Sequence, residues 1–279
     1  MLSYRHGFHA GNFTDVHKHV ALILLLEHLL QKDTAYCYLD THAGAGVYDL
    51  QSRFALKNRE FETGIARLWE AADCPPAVAR LLEVVRMFNN GALRTYPGSP
   101  AIARRFLRAH DRMILSELHN SDAPQLRQCF ARDRQVAVHH RDGFEALPAL
   151  VPPRERRGLV LMDPSYELRD EFTTAADTLI AAWRRWSTGT YLLWYPVQRR
   201  QPIQAFKRTI RKSSMRKVLC SELVLGPDRV VNRLCGSGLL IVNPPWRMDQ
   251  VLRETIPWLQ QKLEWGEHLP SHTGWLVPE

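Results

Sequence analysis

A short apolar run that ends in an acid and a glycine-bearing turn stands at residues 35–46: Ala35-Tyr36-Cys37-Tyr38-Leu39-Asp40-Thr41-His42-Ala43-Gly44-Ala45-Gly46. The run has the length of a buried strand, and the small residues after it let a ligand approach the backbone closely. The glycine spacing is not GxGxxG, which disfavours a nicotinamide or flavin dinucleotide site. The stretch predicts a strand that leads into a ligand-binding loop of another kind.

Six further apolar runs alternate with longer helical patterns along the chain, at 113–116, 136–139, 158–162, 190–194, 218–225 and 238–242. Short strands that alternate with crossover helices are typical of a doubly wound, mostly parallel sheet. Such sheets bind ligands in the loops beyond the carboxyl ends of their strands. Together with the run at 35–39, the pattern predicts a seven-stranded, Rossmann-like α/β fold.

The length and composition of the chain fit one folded domain over residues 1–279. The chain is 45% hydrophobic and 24% charged, as globular proteins are. Its most apolar run, at 20–26, is far shorter than the roughly 20 residues that cross a bilayer, and no signal-peptide cleavage site follows it. Five scattered cysteines without a CxxC pair indicate neither a disulfide framework nor a thiolate zinc site. We therefore expect a cytoplasmic protein without a membrane segment.

The charge of the chain favours a polyanionic partner. Lys and Arg number 37 against 29 Asp and Glu, which gives a formal charge of +8. A single basic cluster is commonly a solvated helix face, but several clusters of one sign indicate nucleic acid. The clusters are Arg104, Arg105 and Arg108; Arg154, Arg156 and Arg157; and Lys207, Arg208, Arg211, Lys212, Arg216 and Lys217.

Acidic residues follow the first three predicted strands, at Asp40, Glu117 and Asp142-Gly143. A carboxylate at the end of the second strand is well placed to accept hydrogen bonds from ribose hydroxyls. Asp142 can similarly accept from the adenine amino group of a cofactor. Each acid alone could be a turn or helix-capping residue. Three in succession predict a nucleoside-containing cofactor.

The gap between Asp40 and Glu117 is longer than one crossover helix requires. We predict a small helical insertion at 50–95, with amphipathic helices at 60–71 and 76–89. After it, the segment 96–100 leads into a helix at 101–109. Ser99 is predicted as its N-cap and Pro100 as its first residue, with the helix N-terminus facing the ligand.

The fourth predicted strand leads into Asp163-Pro164-Ser165-Tyr166. An adenine amino group is a poor nucleophile because its lone pair is delocalised into the ring. The Asp163 carboxylate and the Pro164 carbonyl can accept its hydrogens and stabilise positive charge developing on the nitrogen. Tyr166 can stack on a flipped or unpaired base and align it with a methyl donor. The loop predicts methylation of an adenine amino group from S-adenosylmethionine, although a plain strand followed by a proline turn is the structural alternative.

A second loop of similar composition, Asn243-Pro244-Pro245-Trp246, follows the last predicted strand. It offers the same combination of acceptor, proline and aromatic ring. We favour Asp163 because in this fold the fourth strand adjoins the first, whereas the last strand lies farther away. The second loop is predicted to be a structural strand end.

These motifs resemble the RlmJ family of bacterial 23S ribosomal RNA adenine-N6 methyltransferases. The resemblance extends nearly end to end and includes 96–100, the Asp163 loop, Leu193-Trp194-Tyr195-Pro196 and the Asn243 loop. Its most specific parts are the turn at 39–46 and the opening Tyr4-Arg5-His6-Gly7-Phe8-His9-Ala10-Gly11-Asn12.

The resemblance implies a class I S-adenosylmethionine-dependent methyltransferase that acts on adenine 2030 of 23S ribosomal RNA. It implies that Asp163 is the catalytic residue and that residues 1–13 form a substrate-side tail. It further implies that Tyr4, His6 and Lys18 face the substrate. It also implies a set of cofactor-binding residues: His19, His42, Ser99, Glu117, Asp142, Gly143 and Asp163. Nothing in the sequence requires a partner chain, so a monomer is expected.

One departure from the family pattern is Ser165, where the family loop usually has a second proline. Serine loosens the dihedral restraint of the loop but leaves the Asp163 carboxylate and the Pro164 carbonyl in place. Activity is therefore expected to be retained.

The amino-terminal histidines His6, His9, His17 and His19 raise the idea of a metal site. With no cysteine nearby and only His17-Lys18-His19 closely spaced, we expect no metal. Thr14 and Asp15 instead look like the start of a helix that places His19 near the first turn. That helix would bury Val16, Val20, Ile23 and Leu24.

Two other functions fit the same motifs. One is methylation of adenine in DNA, and the other is a non-catalytic RNA-binding protein that reuses the fold. The acids at three strand ends disfavour the second, and the family resemblance favours RNA over DNA.

Overall fold

The chain folds around a mixed sheet of eight strands. The computed structural model describes residues 4–168, 170–198, 200–226, 234–265 and 269–279. The strands are β1 (Cys37–Asp40), β2 (Val47–Asp49), β3 (Thr95–Pro97), β4 (Arg112–Glu117), β5 (Val136–His140), β6 (Gly158–Met162), β7 (Thr190–Val197), β8 (Val218–Val224), β9 (Gly236–Val242) and β10 (His272–Val277). The order in the main sheet is β10-β8-β9-β7-β6-β1-β4-β5, while β2 and β3 pair separately.

The seven predicted strands are all present, and the Rossmann-like fold class is confirmed. Strands β5, β4, β1, β6 and β7 run parallel, whereas β9 is antiparallel to both β7 and β8. The edge strand β10, antiparallel to β8, is an eighth strand that the sequence did not predict. Its first residues, His272-Thr273-Gly274, form no apolar run, so pairing with β8 defines it rather than hydrophobicity.

Helices cover both faces of the sheet. They are α1 (Phe13–Leu30), α2 (Arg53–Asn58), α3 (Ile65–Leu68), α4 (Pro76–Arg86), α5 (Ser99–Arg104), α6 (Asp122–Cys129), α7 (Gly143–Leu150), α8 (Glu171–Arg185), α9 (Arg200–Lys212) and α10 (Met248–Leu263). One apolar core includes side chains of α1, α4, α5, α6 and α10, and the other includes those of α7, α8 and α9. Among the described helices, none is long and apolar enough to span a bilayer.

Helix α1 is buried nearly all round and positions polar residues at the ligand edge of the sheet. Its N-cap is Asn12, whose side chain accepts from the backbone N–H groups of Thr14 at 3.0 Å and Asp15 at 3.1 Å. Because residues three and four apart share a helix face, Asp15, Lys18 and His19 project on the same side.

The predicted helix at 60–71 is wrong as a continuous element. A 3₁₀ turn at Glu60–Thr63 and the short helix α3 replace it, separated by Gly64 with φ −111° and ψ −114°. A Cβ at Gly64 would lie 2.2 Å from the carbonyl oxygen of Gly11. Close packing on the N-terminal turn therefore breaks the helix.

The start of α5 also differs from the prediction. Gly98, not Ser99, is the N-cap, and the helix ends at Arg104 rather than at 109. The Ser99 hydroxyl donates instead to the Asp40 carboxylate at 2.7 Å. The residue predicted to cap a helix thus connects it to the end of β1.

The Asn243 loop and Asp163 lie at opposite ends of the strands, because β9 runs antiparallel to β7. The Asn243 amide donates to the carbonyls of Ser187 at 2.8 Å and Gly189 at 2.7 Å. These bonds make the loop a structural strand end, as predicted. Strand order, with β7 and β6 between β9 and β1, and strand direction both separate it from the cavity.

Several residues of the predicted basic clusters have structural partners. Arg104 pairs with Asp133, Arg108 pairs with Asp111, and Arg157 donates to backbone carbonyls. Lys207 pairs with Glu222 at 2.7 Å. The clusters are therefore not uniformly free to bind a polyanion.

Candidate active site

A cavity of about 260 Å³ opens beyond the carboxyl ends of β1, β4 and β6. Pro164 and Tyr166 are not among its lining residues. It brings together ten of the residues predicted for the site: Tyr4, His6, Lys18, His19, His42, Ser99, Glu117, Asp142, Gly143 and Asp163.

Asp40 does not line the cavity but forms hydrogen bonds with residues that do. Its carboxylate accepts from the hydroxyls of Tyr38 at 2.8 Å and Ser99 at 2.7 Å and from the backbone N–H of His42 at 3.2 Å. Burial raises the pKa of Asp40 to about 6, although these donors act in the opposite direction. The first strand-end acid therefore fixes the turn that follows β1 and is not a lining residue.

Glu117 lines the cavity. Its two carboxylate oxygens accept from the backbone N–H groups of Gly44 and His119, each at 2.7 Å. Gly44 has φ +63°, and a Cβ there would lie 2.1 Å from the Tyr48 hydroxyl. The turn at 43–46 thus needs glycine at this position to bring its N–H to Glu117.

Asp142 and Gly143 start α7 at the third strand end. The Asp142 carboxylate accepts from the backbone N–H of Phe144 at 2.8 Å, which makes Asp142 the helix N-cap. A Cβ at Gly143 would lie 1.9 Å from the carbonyl oxygen of Thr41. The missing side chain lets α7 approach the turn after β1.

A row of five polar side chains, which we call the polar chain, leads from the N-terminal turn to the Asp163 loop: Tyr4, His6, Asp15, Lys18 and Asp163. The Lys18 ammonium pairs with Asp163 and also lies 2.8 Å from Oδ1 of Asp15. Oδ2 of Asp15 accepts from Nε2 of His6 at 2.9 Å. Nδ1 of His6 lies 2.9 Å from the Tyr4 hydroxyl. The N-terminal turn is thereby connected directly to Asp163.

Neighbouring charges keep Asp15 and Lys18, in the middle of the polar chain, ionised. Burial alone lowers the pKa of Lys18, but the carboxylates of Asp15 and Asp163 outweigh it and raise this pKa above its ordinary value. Burial raises the pKa of Asp15, yet His6 and Lys18 hold it well below its usual range. Burial lowers the pKa of His6, and Asp15 raises it overall. Asp15 and Lys18 are thus ionised at neutral pH.

His19 presents an unsatisfied nitrogen at the cavity. Its Nδ1 lies 2.8 Å from the Tyr96 hydroxyl, whereas Nε2 is buried without a hydrogen-bond partner in the described part of the chain. Burial lowers the pKa of His19 to about 3, so the ring is neutral near pH 7. An unpaired buried polar atom costs about 1–3 kcal/mol, which fits a site where a ligand supplies the missing group.

The loop after Asp163 is held by its neighbours. The Tyr166 hydroxyl donates to the carbonyl of Trp194 at 2.8 Å, and its ring centroid is 4.5 Å from that of Phe172. Tyr166 has φ 55°. Pro164 is buried, and Ser165 lines the cavity.

The amino-terminal histidines have separate partners. His17 lies between the hydroxyls of Ser237 and Ser221 at 3.0 and 3.1 Å, and His9 is 2.9 Å from Glu60. Over the residues that the structure describes, no group of His, Cys, Asp and Glu side chains could hold a metal ion.

Asp15 is the main site residue that sequence reasoning missed. It was interpreted only as a helix start, although it is fully buried and contacts both His6 and Lys18. A signal was present, since Asp15 and Lys18 are three residues apart on a predicted helix.

The fold and the site together define a class of protein. A doubly wound sheet with acids after three successive strands, and an Asp-Pro turn after the fourth, is the arrangement of class I S-adenosylmethionine-dependent methyltransferases. The unsatisfied Nε2 of His19 and the close approaches at Gly44 and Gly143 fit a cofactor in this cavity.

Comparisons with known proteins give the family. The family model described as "Ribosomal RNA large subunit methyltransferase D, RlmJ" matches residues 33–277. Proteins named "Ribosomal RNA large subunit methyltransferase J" are similar over the full length of both chains, at 44% identity in Escherichia coli K12 and 42% in Haemophilus influenzae. A Legionella pneumophila crystal structure matches with a TM-score of 0.88 and 35% identity, covering 95% of this chain and 98% of that one. The chain therefore belongs to the RlmJ family of methyltransferases, and S-adenosylmethionine is its methyl donor.

Proposed function

We propose that this protein methylates the exocyclic N6 of an adenine in 23S ribosomal RNA, with adenine 2030 as the site that the family resemblance implies. The names of the relatives support ribosomal RNA as the substrate. The observation that carries the choice of an amino group is Asp163, which lines the cavity as an acceptor and is oriented by Lys18.

Asp163 can act as the acceptor for the adenine amino group. Lys18 contacts only Oδ2, and Oδ1 has no hydrogen-bond partner among the described residues. Oδ1 would accept one of the amino hydrogens and draw electron density toward the nitrogen. Pro164, whose carbonyl was predicted as the second acceptor, is not a lining residue of the cavity. Because the lone pair attacks without prior deprotonation, no general base is needed before methyl transfer. The methylated nitrogen then carries a positive charge and releases one proton to solvent, which leaves neutral N6-methyladenine.

Lys18 and Asp15 keep the acceptor in place. The ammonium of Lys18 is shared between two carboxylates, so Asp163 is held by a charge-assisted bond in a fixed orientation. Much of the acceleration then comes from positioning, since a misplaced acceptor or base loses alignment with the methyl donor. His6 and Tyr4 at the other end of the polar chain would border the target base.

The cofactor would be held by His19, His42, Ser99, Glu117, Asp142 and Gly143, with Asp163 at the reactive end. S-adenosylmethionine, when bound, supplies a methyl group on a positively charged sulfur. Burial lowers the pKa of His42 to about 4, so this lining side chain is neutral at pH 7 and adds no repulsion to that charge. Asp163 and Glu117 face the same cavity with acceptor oxygens.

The experiment that tests the proposal is methyl transfer by Asp163→Ala and Asp163→Asn. In Asp163→Ala, loss of the acceptor should lower kcat at least a hundredfold, as removal of one transition-state hydrogen bond does in other enzymes, at about 3 kcal/mol. Asp163→Asn keeps an acceptor oxygen but loses the charge, so its kcat should fall less. S-adenosylhomocysteine should still bind within a few fold of wild type, measured by calorimetry. Undiminished methyl transfer in both variants would contradict the assignment.

The substrate is tested by comparing unmethylated 23S ribosomal RNA with duplex DNA as acceptors of labelled methyl groups. We expect incorporation into RNA as N6-methyladenine, identified by nucleoside mass spectrometry. A clear preference for DNA would replace ribosomal RNA as the substrate. We further propose that the protein acts in the cytoplasm as a monomer, with the positive charge of the chain supporting RNA as its partner.

A further inference from the structure

A group of rings and cations lies beside the cavity and has no part in the proposed chemistry. We call it the ring–cation patch, and it consists of Arg5, Phe8, Arg53, Phe54 and Lys57. The first two belong to the N-terminal turn, and the other three belong to α2. Two chain segments that are distant in sequence thus form one surface.

The geometry of the ring–cation patch is specific. The rings of Phe8 and Phe54 meet edge to face, with centroids 5.2 Å apart and planes at 84°. The guanidinium carbons of Arg5 and Arg53 lie 4.2 and 4.9 Å from the centroid of Phe54. The ammonium of Lys57 lies 5.4 Å from the centroid of Phe8. All three cations are within cation–π distance of a ring.

The cations of the patch keep most of their charge available. Over the described residues, Arg53 and Lys57 have no carboxylate within ion-pair distance, and Arg5 has only a 3.4 Å contact with Asp122. Arg59, just after α2, differs because it pairs with Glu62. A ring holds a cation in position without neutralising it, and a guanidinium over a ring keeps its N–H edges free for phosphate oxygens.

The patch is continuous with the cavity. Asp122, the partner of Arg5, lines the cavity, and so does His6, the next residue in the chain. The His6 ring is also 5.1 Å from that of Tyr48, another lining residue. A polymer with one nucleotide in the cavity would therefore have its neighbouring nucleotides close to the patch.

We propose that the ring–cation patch binds backbone phosphates of the RNA next to the target adenosine. This inference rests on the proposed function. A base that leaves its stack for the cavity leaves phosphates on both sides of it at the cavity mouth. Cations fixed beside that mouth bind those phosphates and set the register of the RNA, without reading its sequence.

The test uses the full-length double variant Arg53→Gln with Lys57→Gln. Arg53 is the first residue of α2, and the N-cap Ser52 still accepts from the Ala55 backbone N–H in the variant, so the fold should persist. The matched control is Arg132→Gln with Arg134→Gln, which removes the same charge from positions just before β5. Both proteins are compared with wild type on a transcript of 23S ribosomal RNA.

We expect the patch variant to bind the transcript about twentyfold more weakly at 0.15 M salt, since each phosphate contact contributes roughly four- to fivefold there. The slope of log affinity against log salt should become shallower by about 1.5. The KM for the transcript should rise while kcat and S-adenosylhomocysteine binding stay unchanged. The control variant should bind with the wild-type slope.

Two results would overturn the proposal: wild-type affinity and slope in the patch variant, or an equal loss in the control. The test is separate from that of the proposed function, because RNA binding is measured without methyl transfer. If wild type methylates RNA but the patch variant binds normally, only this inference fails. If binding depends on the patch but Asp163→Ala still methylates, only the catalytic assignment fails.

Discussion

At the scale of single residues, the site depends on Asp15, which connects two functional side chains. It is buried at 0% exposure, accepts from His6 and from the Gly11 backbone N–H at 2.9 Å each, and pairs with Lys18. Its charge raises the pKa of both His6 and Lys18, against the effect of burial. Asp15 is not among the residues that line the cavity, so we propose that it is a positioning residue.

Asp15→Asn should therefore separate orientation from binding. Loss of one charged contact costs about 1.5–3 kcal/mol, so kcat should fall roughly ten- to hundredfold with little change in S-adenosylhomocysteine affinity. Without the Asp15 charge, the pKa of His6 should also fall, which NMR titration of the imidazole can measure. The exposed acid Asp49, changed to Asn, serves as the control. An unchanged His6 titration with normal kcat would contradict this role.

At the scale of elements, contacts between distant segments decide where a helix begins and ends, even where the local sequence pattern predicts otherwise. The segment between the 3₁₀ turn at Glu60–Thr63 and α3 meets the residues before α1 at Gly64, whose backbone packs against that of Gly11 and Asn12. Asn12 is the N-cap of α1, so the same contact supports the helix that carries Asp15 and Lys18. A segment that does not line the cavity thus helps to fix the polar chain.

Gly64→Ala should destabilise the protein by about 2–3 kcal/mol, because the added methyl group has no space beside the Gly11 carbonyl. Gly91→Ala is a suitable control, since Gly91 has φ +83° but no atom within 4 Å of an added Cβ. Backbone strain alone should make that change cost about 1 kcal/mol. The free energies of unfolding in urea measure both. Equal costs at the two positions would rule out steric packing as the cause.

At the scale of the whole molecule, buried ionisable groups connect α1 to the sheet. His17 joins α1 to β9 and β8 through Ser237 and Ser221, and burial lowers its pKa to about 3 from 6.5. Because the folded pKa lies below the unfolded one, the unfolded state takes up the proton first as the pH falls. The contribution of His17 is therefore complete above pH 6.5 and is lost as the pH falls toward 3.

His17→Gln keeps hydrogen-bonding groups at this position but removes the titration. As the pH falls from about 6 to 4, the free energy of unfolding of wild type should decrease, relative to that of this variant, by about 1.4 kcal/mol per pH unit. Asp40 titrates in the opposite sense, with a pKa raised to about 6, but it is common to both proteins and cancels. Parallel pH profiles would show that His17 does not titrate on unfolding.

The sequence alone determined seven of the eight strands of the main sheet and the three acids Glu117, Asp142 and Asp163 that line the cavity. Buried parallel strands must be short apolar runs, and their carboxyl ends meet at one edge, so the order of the strands was enough to group Glu117, Asp142 and Asp163. The resemblance to the RlmJ family supplied residues of the N-terminal turn, such as Tyr4 and His6, that periodicity could not assign.

Only the tertiary structure decided which polar groups face a ligand and which support the fold. Asp40 and Glu117 both follow strands, yet Asp40 is enclosed by Tyr38 and Ser99 whereas Glu117 lines the cavity. The direction of β9 placed Asn243 at the end of the strands opposite to the cavity. Close packing at Gly64 divided the helix that was predicted at 60–71. The physical reason is that hydrogen-bond partners and close contacts come from residues distant in the chain, which local sequence patterns do not specify.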